Sequence, residues 1–317
     1  MATIVTPDNF LRVETDLYFS ALVRDGGFGK LFHNREMSPI DHQNVIRQNR
    51  DTLYSAVVLD LDAGPATVAL PDAGGRFMSL QIIDQDQYVP AVYYDSAAHR
   101  LTRDEIGTRY VMAAIRTLAD PNDPADLAEA NRLQDGIRLE QPGGPGTFEV
   151  PQWDSESQNK VRAALHQLAQ TMPDTSKGFG RRGEVDPVQR LVGGAMGWGA
   201  NPPQDASYIN ITPKRNDGKT VYRLNVKDVP VDAFWSIIVY DETGFIPPNE
   251  SGVYSFNSIT AQKDPDGSVT IQFGGCDGSA ANCIPIAPGW NYLVRLYRPR
   301  QEFLDGSWIF PEAQVVA

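Results

Sequence analysis

Basic residues are scarce in this chain: 28 Lys and Arg stand against 40 Asp and Glu, for a net charge of −12 over 317 residues. An acidic surface repels phosphate backbones and anionic lipids alike, which excludes nucleic acid and an anionic membrane face as partners. Long hydrophobic runs are missing too. No stretch approaches the roughly 18–20 apolar residues of a membrane span. The N-terminal Ala2-Thr3-Ile4-Val5-Thr6-Pro7 has neither the basic nor the apolar region of a secretory signal. The compartment therefore reads as cytoplasmic as written, and as periplasmic or secreted where a signal has been removed.

Cysteine is almost absent. Cys276 and Cys283 do not make a structural zinc site by themselves, and no His lies near them. Their spacing suits a disulfide closing a small loop, and equally two free thiols. The common catalytic signatures are missing as well: no G-x-S-x-G elbow, no phosphate-binding loop and no G-x-G-x-x-G opening a helix after a strand. Nucleotide-driven chemistry has no foothold here, and the sequence requires no cofactor.

What is present is punctuation. With 23 Pro and 27 Gly in a chain that is 41% hydrophobic, many short strands are expected, and the length suits about two domains. A first helix is predicted with Thr6 as N-cap and Pro7 at the first helical position, running to Gly26-Gly27. Strands are predicted from Leu53, Ala66, Phe77, Tyr88 and Tyr110. Three helices then start near Asp123-Pro124, Asp154 and Asp186-Pro187. Strands resume at Tyr222, Trp235, Val269 and Tyr292. The expected division is a β domain with a leading helix (1–120), a helical insert (121–200) and a second β domain (201–317).

An internal echo links the halves. Phe77-Met78-Ser79-Leu80-Gln81-Ile82-Ile83-Asp84, then Tyr88-Val89-Pro90, lines up without a gap on Phe234-Trp235-Ser236-Ile237-Ile238-Val239-Tyr240-Asp241, then Phe245-Ile246-Pro247. Downstream, at a larger offset, Gly107 to Tyr110 with Arg116 resembles Gly289 to Tyr292 with Arg298. The echo reads as a duplication, which would leave a cleft between two β domains for a ligand. Strand-turn-strand patterns shared by any two sandwiches are the plainer explanation.

The densest polar cluster is Asn49-Arg50-Asp51-Thr52-Leu53-Tyr54-Ser55, where a loop enters a strand. Alternation puts Arg50, Thr52 and Tyr54 on one side and Asp51, Leu53 and Ser55 on the other. Arg50 and Tyr54 are suited to grip an oxyanion, and Asp51 to act as general base if burial raises its pKa. An Arg–Asp ion pair that merely pins the strand fits the same residues. His33, Glu36 and His42 form a reserve set for a divalent metal, although solvated loop positions explain them as well. Trp198, between Gly197 and Gly199, suits a cleft wall or a plug. Tyr254 and Asn257 suit ligand contacts or strand-end hydrogen bonds.

These residues carry a resemblance. Asn49 to Ser55, with Asp60, is similar to the hallmark of the bacterial domain family of unknown function numbered 1254. The stretch Trp198 to Asn210, Phe234-Trp235-Ser236, Tyr240-Asp241, Tyr254-Ser255, Asn257-Ser258, Arg295-Leu296-Tyr297 and Leu304 to Trp308 resemble its partner family, numbered 1214. The resemblance spans nearly the whole chain, in a compact form of the tandem pair. It implies a mainly β, α+β protein with two jelly-roll-like antiparallel β-sandwich domains, an N-terminal helix and a helical insert. Some members carry the label carboxylesterase, and both secreted and unsecreted members occur.

The functional expectation is an enzyme, a hydrolase or lyase acting on a small, partly apolar organic molecule in a cleft between the domains. Asp51 is expected to act as base, Arg50 and Tyr54 to stabilise the oxyanion, and Asn49, Thr52, Trp198, Tyr254 and Asn257 to bind substrate. The alternatives are a non-catalytic small-molecule or glycan-binding protein, and a structural homo-oligomer.

Overall fold

The computed structural model describes residues 2–43 and 46–316. It is mainly β with helices, an α+β chain, and it divides into two compact units. Unit 1 comprises residues 1–35, 53–119 and 123–203; unit 2 comprises 36–52, 120–122 and 204–317. Among the described residues, no helix is long and apolar enough to cross a membrane.

Unit 1 contains strands β1 (Phe32–His33), β2 (Thr52–Asp60, entering from Leu53), β3 (Ala66–Ala69), β4 (Met78–Asp84), β5 (Ala91–Tyr93), β6 (Ala98–Leu101), β7 (Tyr110–Leu118) and β8 (Arg138–Glu140). They form a sheet of order β1-β2-β7-β4-β5 and a smaller one of order β6-β3-β8. Met78, Leu80 and Ile82 of β4 and Val111, Ala113 and Ile115 of β7 point to one core with Val68 and Leu101 of the smaller sheet. The alternate residues face the other way. There Ile83, Met112 and Ala114 pack with Phe19 and Trp198. Both faces of β4 and β7 are therefore covered, which is why neither strand has an exposed residue.

Four longer helices complete unit 1: α1 (Phe10–Arg24), α3 (Pro124–Asp135), α4 (Ser155–Ala169) and α5 (Pro187–Met196), with α2 (Arg103–Ile106) a single turn. Asp123, Asp154 and Asp186 cap the last three through side-chain acceptors. The first helix starts later than the Thr6–Pro7 pattern predicts. Residues 6–9 form a turn in which Asn9 Oδ1 accepts from the Thr6 N–H at 2.9 Å, and Asn9 is the N-cap.

Unit 2 contains β9 (Ala206–Ile211), β10 (Tyr222–Val226), β11 (Trp235–Tyr240), β12 (Ser255–Asn257), β13 (Val269–Phe273), β14 (Cys283–Ile284), β15 (Asn291–Tyr297) and β16 (Gln314–Val315), with α6 (Gln301–Leu304). The sheets run β12-β11-β15-β9 and β14-β13-β10-β16. Trp235, Ile237 and Val239 of β11 meet Leu224 of β10 and Ile271 of β13 in the inner core. The other face of β11 and β15 packs with Ile40, Ile246 and Tyr254.

The two units repeat one strand order. The order β2-β7-β4-β5 corresponds to β9-β15-β11-β12, and β6-β3-β8 to β13-β10-β16, with β1 an addition in unit 1 and β14 in unit 2. The register corrects one part of the sequence echo. Ser79 pairs with Arg116, and Ser236 pairs with Arg295. Arg116 therefore corresponds to Arg295, three positions before the Arg298 that the Gly-Tyr pattern selected. The added β14 follows the cysteine loop, where Cys276 and Cys283 are joined as a disulfide.

Candidate functional site

The outer face of the β11–β15 pair carries Ser236 and Tyr240 from one strand and Arg295 from the other, with the period of 2 that puts alternate residues on one side. Each is buried. A guanidinium in that position must be neutralised or hydrogen-bonded, because a charge taken out of water is costly. The segment 46–52 supplies the partners. Arg295 Nη2 donates to the Arg47 carbonyl at 2.6 Å and to the Tyr240 hydroxyl at 2.9 Å. That hydroxyl in turn donates to the Gln48 carbonyl at 2.8 Å.

Asp51 reaches the same face. Its residue exposure is 1%, and its Oδ2 accepts from the Ser236 hydroxyl at 2.6 Å. Among the described residues Oδ1 has no hydrogen-bond partner, and neither do Arg295 Nη1 and Gln48 Oε1, all three being buried atoms. Burial pushes the Asp51 pKa above the ordinary carboxylate range, while the charge of Arg295, the Ser236 hydroxyl, the Asn257 amide and Arg50 pull it back. Burial works against the charge on Arg295, but Tyr240, Tyr297 and Asp51 around it hold its pKa above the usual value. It remains a cation.

The neighbouring motif residues hold this carboxylate in place. Asn49 Oδ1 accepts from the Asp51 N–H at 2.7 Å, and Asn49 Nδ2 donates to the Tyr297 hydroxyl at 2.9 Å and to Thr52 Oγ1 at 3.2 Å. An Asn side chain that accepts from a backbone N–H two residues on closes an Asx turn. Arg50 is half-buried, its guanidinium 5.3 Å from the centre of the Tyr254 ring and its Nη1 3.3 Å from the Ser38 carbonyl. Burial lowers its pKa against the opposing charge of Asp51. Asn257 Oδ1 is occupied by the N–H groups of Ile259 and Thr260.

Unit 2 thus brings together Asn49, Arg50, Asp51, Thr52, Tyr254 and Asn257. Tyr54, Trp198 and His33 belong to unit 1. There Tyr54 lies beneath Arg116, whose guanidinium is 5.4 Å from the ring centre and donates to Gln81 Oε1 at 2.6 Å. Trp198 stacks on Tyr18 at 4.4 Å and donates to Thr15 Oγ1 at 3.0 Å. His33 Nδ1 is 2.7 Å from Ser55 Oγ, and burial lowers its pKa. Glu36 and His42 are exposed. Among the described residues, no three His, Cys, Asp or Glu side chains are gathered as metal ligands.

Sequence reasoning did not single out Ser236, Tyr240 or Arg295 as site residues. A signal was available for the last of these. Tyr292-Leu293-Val294-Arg295-Leu296-Tyr297 is apolar apart from one Arg in the middle, and a lone charge inside a buried strand demands a partner. For Ser236 and Tyr240 no such signal exists, because both are ordinary strand residues.

Comparison with known proteins identifies two domain families in the chain. Residues 28–103 match the family described as protein of unknown function (DUF1254), and residues 208–301 match the protein of unknown function (DUF1214). The chain carries both domains in tandem. Among solved structures it is similar to the VPA0106 protein from Vibrio parahaemolyticus, at 18% identity and a TM-score of 0.73, covering 98% of each chain. It is also similar to a putative uncharacterized protein from Burkholderia cenocepacia, at 12% identity and a TM-score of 0.54, covering 97% of this chain and 86% of that one. These likenesses speak for the tandem fold. No curated protein matches the chain.

Proposed function

We propose that this tandem protein is an enzyme, a hydrolase or lyase of a small, partly apolar organic molecule, with Asp51 as its base. One observation carries the reading: Asp51 is a buried carboxylate of raised pKa whose Oδ1 has no hydrogen-bond partner among the described residues. Buried polar atoms are nearly always paired, and exceptions concentrate at functional groups. In this reading Oδ1 takes a proton from water as the water oxygen attacks an acyl carbon, and returns it to the alcohol that leaves when the acyl–oxygen bond breaks. As a lyase, Oδ1 takes the proton from the carbon next to a carbonyl, and the C–H electrons form a double bond as the β substituent departs. Arg50, beside Tyr254, stabilises the negative charge that develops on oxygen. Asp51 is sealed from solvent, so substrate gains access only when the segment carrying it moves.

The second reading is non-catalytic, and the near-complete burial of Asp51 and Arg295 favours it. Asp51 would then fasten segment 46–52 to the sheet of a protein that binds a small molecule or glycan. The deciding experiment measures hydrolysis of a panel of activated esters and sulfate esters by the wild type and Asp51→Asn, with thermal unfolding of both. Loss of turnover at an unchanged Tm supports the enzyme. A wild type without turnover on any ester, whose Asp51→Asn variant melts early, supports the anchor. Tyr54→Phe in the same assay asks separately whether the phenol contributes to turnover.

A further inference from the structure

Unit 2 has a concave site whose lining does not include Asp51. A cleft of about 560 Å³ is lined by side chains of β10 and β13, the turn after Ala261 and the cysteine loop. Its volume falls within the roughly 300–1,000 Å³ of small-molecule sites. The lining lacks aromatic and large aliphatic residues, which sets it apart from sites that take flat apolar ligands. Two of its members are cations, Arg223 and Lys263, on a chain whose net charge is −12.

The polar groups of the cleft divide into those that build it and those left to bind. Asp264 is committed: its Oδ2 accepts from Thr270 Oγ1 at 2.7 Å and from Ser268 Oγ at 3.1 Å. Asn282 is committed on both sides, accepting from the Gln262 N–H at 2.8 Å and donating to the Gln262 and Thr270 carbonyls. Gln272 donates to the Gly274 and Gly275 carbonyls, and its Oε1 accepts from Arg223 Nη2 at 3.0 Å. That last bond steers the guanidinium and leaves its other N–H donors available. Lys263 and Gln262 add an ammonium and a side-chain amide to the lining. With one carboxylate against two cations, the cleft is locally positive and rich in donors.

One wall is held covalently. Ala280, Ala281 and Asn282 come from the loop that the Cys276–Cys283 disulfide closes. Closing a short loop removes most of its conformational freedom, so the wall is set before any ligand arrives. The strand that follows, β14, pairs with β13 over only two residues, and so it does little to fix the loop by itself.

We propose that this cleft binds a small carboxylate that carries hydroxyl groups, of the sugar-acid class. Arg223 and Lys263 pair with the carboxylate, the Gln262 amide meets a hydroxyl, and the disulfide fixes the wall. An Arg–carboxylate pair supplies parallel charge-assisted bonds, while the absence of an aromatic platform disfavours a neutral sugar held by stacking. The site is independent of the Asp51 chemistry.

The test is isothermal titration of the full chain with galacturonate as the probe and galactose as the neutral control. The expected result is saturable binding of galacturonate, at least about tenfold weaker binding of galactose, and weakening at high salt. Arg223→Ala and Lys263→Ala are each expected to weaken galacturonate about tenfold with no change in Tm, because both residues are exposed. Cys276→Ser/Cys283→Ser is expected to weaken binding while the far-ultraviolet dichroism is kept. Equal affinity for the two sugars, no saturable binding of galacturonate, or full affinity in Arg223→Ala/Lys263→Ala overturns the proposal.

Discussion

The turns Asp84–Tyr88 in unit 1 and Asp241–Phe245 in unit 2 are built alike and behave oppositely. In each, the first Asp N–H donates to the carbonyl four residues on, and the Asp Oδ1 accepts two backbone N–H groups. In each, the fourth residue has a left-handed backbone, Gln87 at φ +67° and Gly244 at φ +90°. Yet burial pushes the Asp84 pKa up to about 6, aided by Asp86, whereas the Asp241 pKa lies below the ordinary range because its hydrogen bonds, led by the Thr243 hydroxyl, outweigh a smaller burial. One backbone device therefore serves two electrostatic ends. What differs is what has been packed over it, and that is a property of the fold rather than of the turn.

The same lesson applies to the duplicated Ser–Arg pairs. Arg116 donates to a neutral Gln81, while the charge of Arg295 acts on the buried Asp51. The sharpest way to separate them is Arg295→Met against Arg116→Met, each followed by denaturant unfolding. Removing Arg295 strands a buried carboxylate and is expected to cost about 3–5 kcal/mol. Removing Arg116 takes away the donor to the neutral Gln81 Oε1 and is expected to cost about 1–3 kcal/mol. Adding Asp51→Asn to Arg295→Met is expected to restore part of the loss, with a coupling of about 1–3 kcal/mol. Equal costs for the two arginines, without coupling, would erase the distinction.

Next in size is the pH dependence of the two turns. A carboxylate whose folded pKa is raised binds its proton more tightly in the native state, so its contribution to stability falls as pH rises from about 4 to about 6. For Asp84 that swing is on the order of 3 kcal/mol. Asp84→Asn is expected to flatten the slope of stability between those pH values. Asp241, with a lowered pKa, has the opposite sign: its contribution is present above its unfolded value and is lost as pH falls through the folded one. Unfolding curves of wild type, Asp84→Asn and Asp241→Asn across pH 3–7 decide this; an unchanged slope in Asp84→Asn would contradict the assignment.

Two glycines give the smaller effects. A Cβ on Gly194 of α5 would lie 2.3 Å from Leu11 Cδ2 and 2.4 Å from Gln87 Oε1. Gly194→Ala is therefore expected to destabilise by about 1–3 kcal/mol. In the other turn, a Cβ on Gly244 would meet Ile46 only at 3.3 Å. Gly244→Ala is expected to cost about 1 kcal/mol, chiefly from the left-handed backbone. Thermal unfolding that ranks Gly244→Ala as the more damaging would reverse this part of the comparison.

Much of this was legible from residues alone. The echo of Phe77 to Asp84 on Phe234 to Asp241 marked equivalent strands and equivalent turns, and the Asp-Pro pairs at 123–124 and 186–187 marked helix starts. The motif Asn49 to Ser55 stood out as polar at a strand entrance. Alternation within it was less informative, because the chain passes from unit 2 to unit 1 between Thr52 and Leu53, so its two halves answer to different cores. The disulfide was one of two open options, since spacing limits a pairing but does not decide it.

The sequence by itself determined the element types, the repeat and the polar motif, because each depends on local periodicity or on residues adjacent in the chain. Only the tertiary structure decided that Asp51 meets Ser236 and comes under the charge of Arg295, that Arg116 answers to Arg295 rather than Arg298, and that Asp84 and Asp241 titrate on opposite sides of the ordinary value. Those outcomes depend on strand register and on burial, which are set by residues distant in the chain and leave no local trace in it.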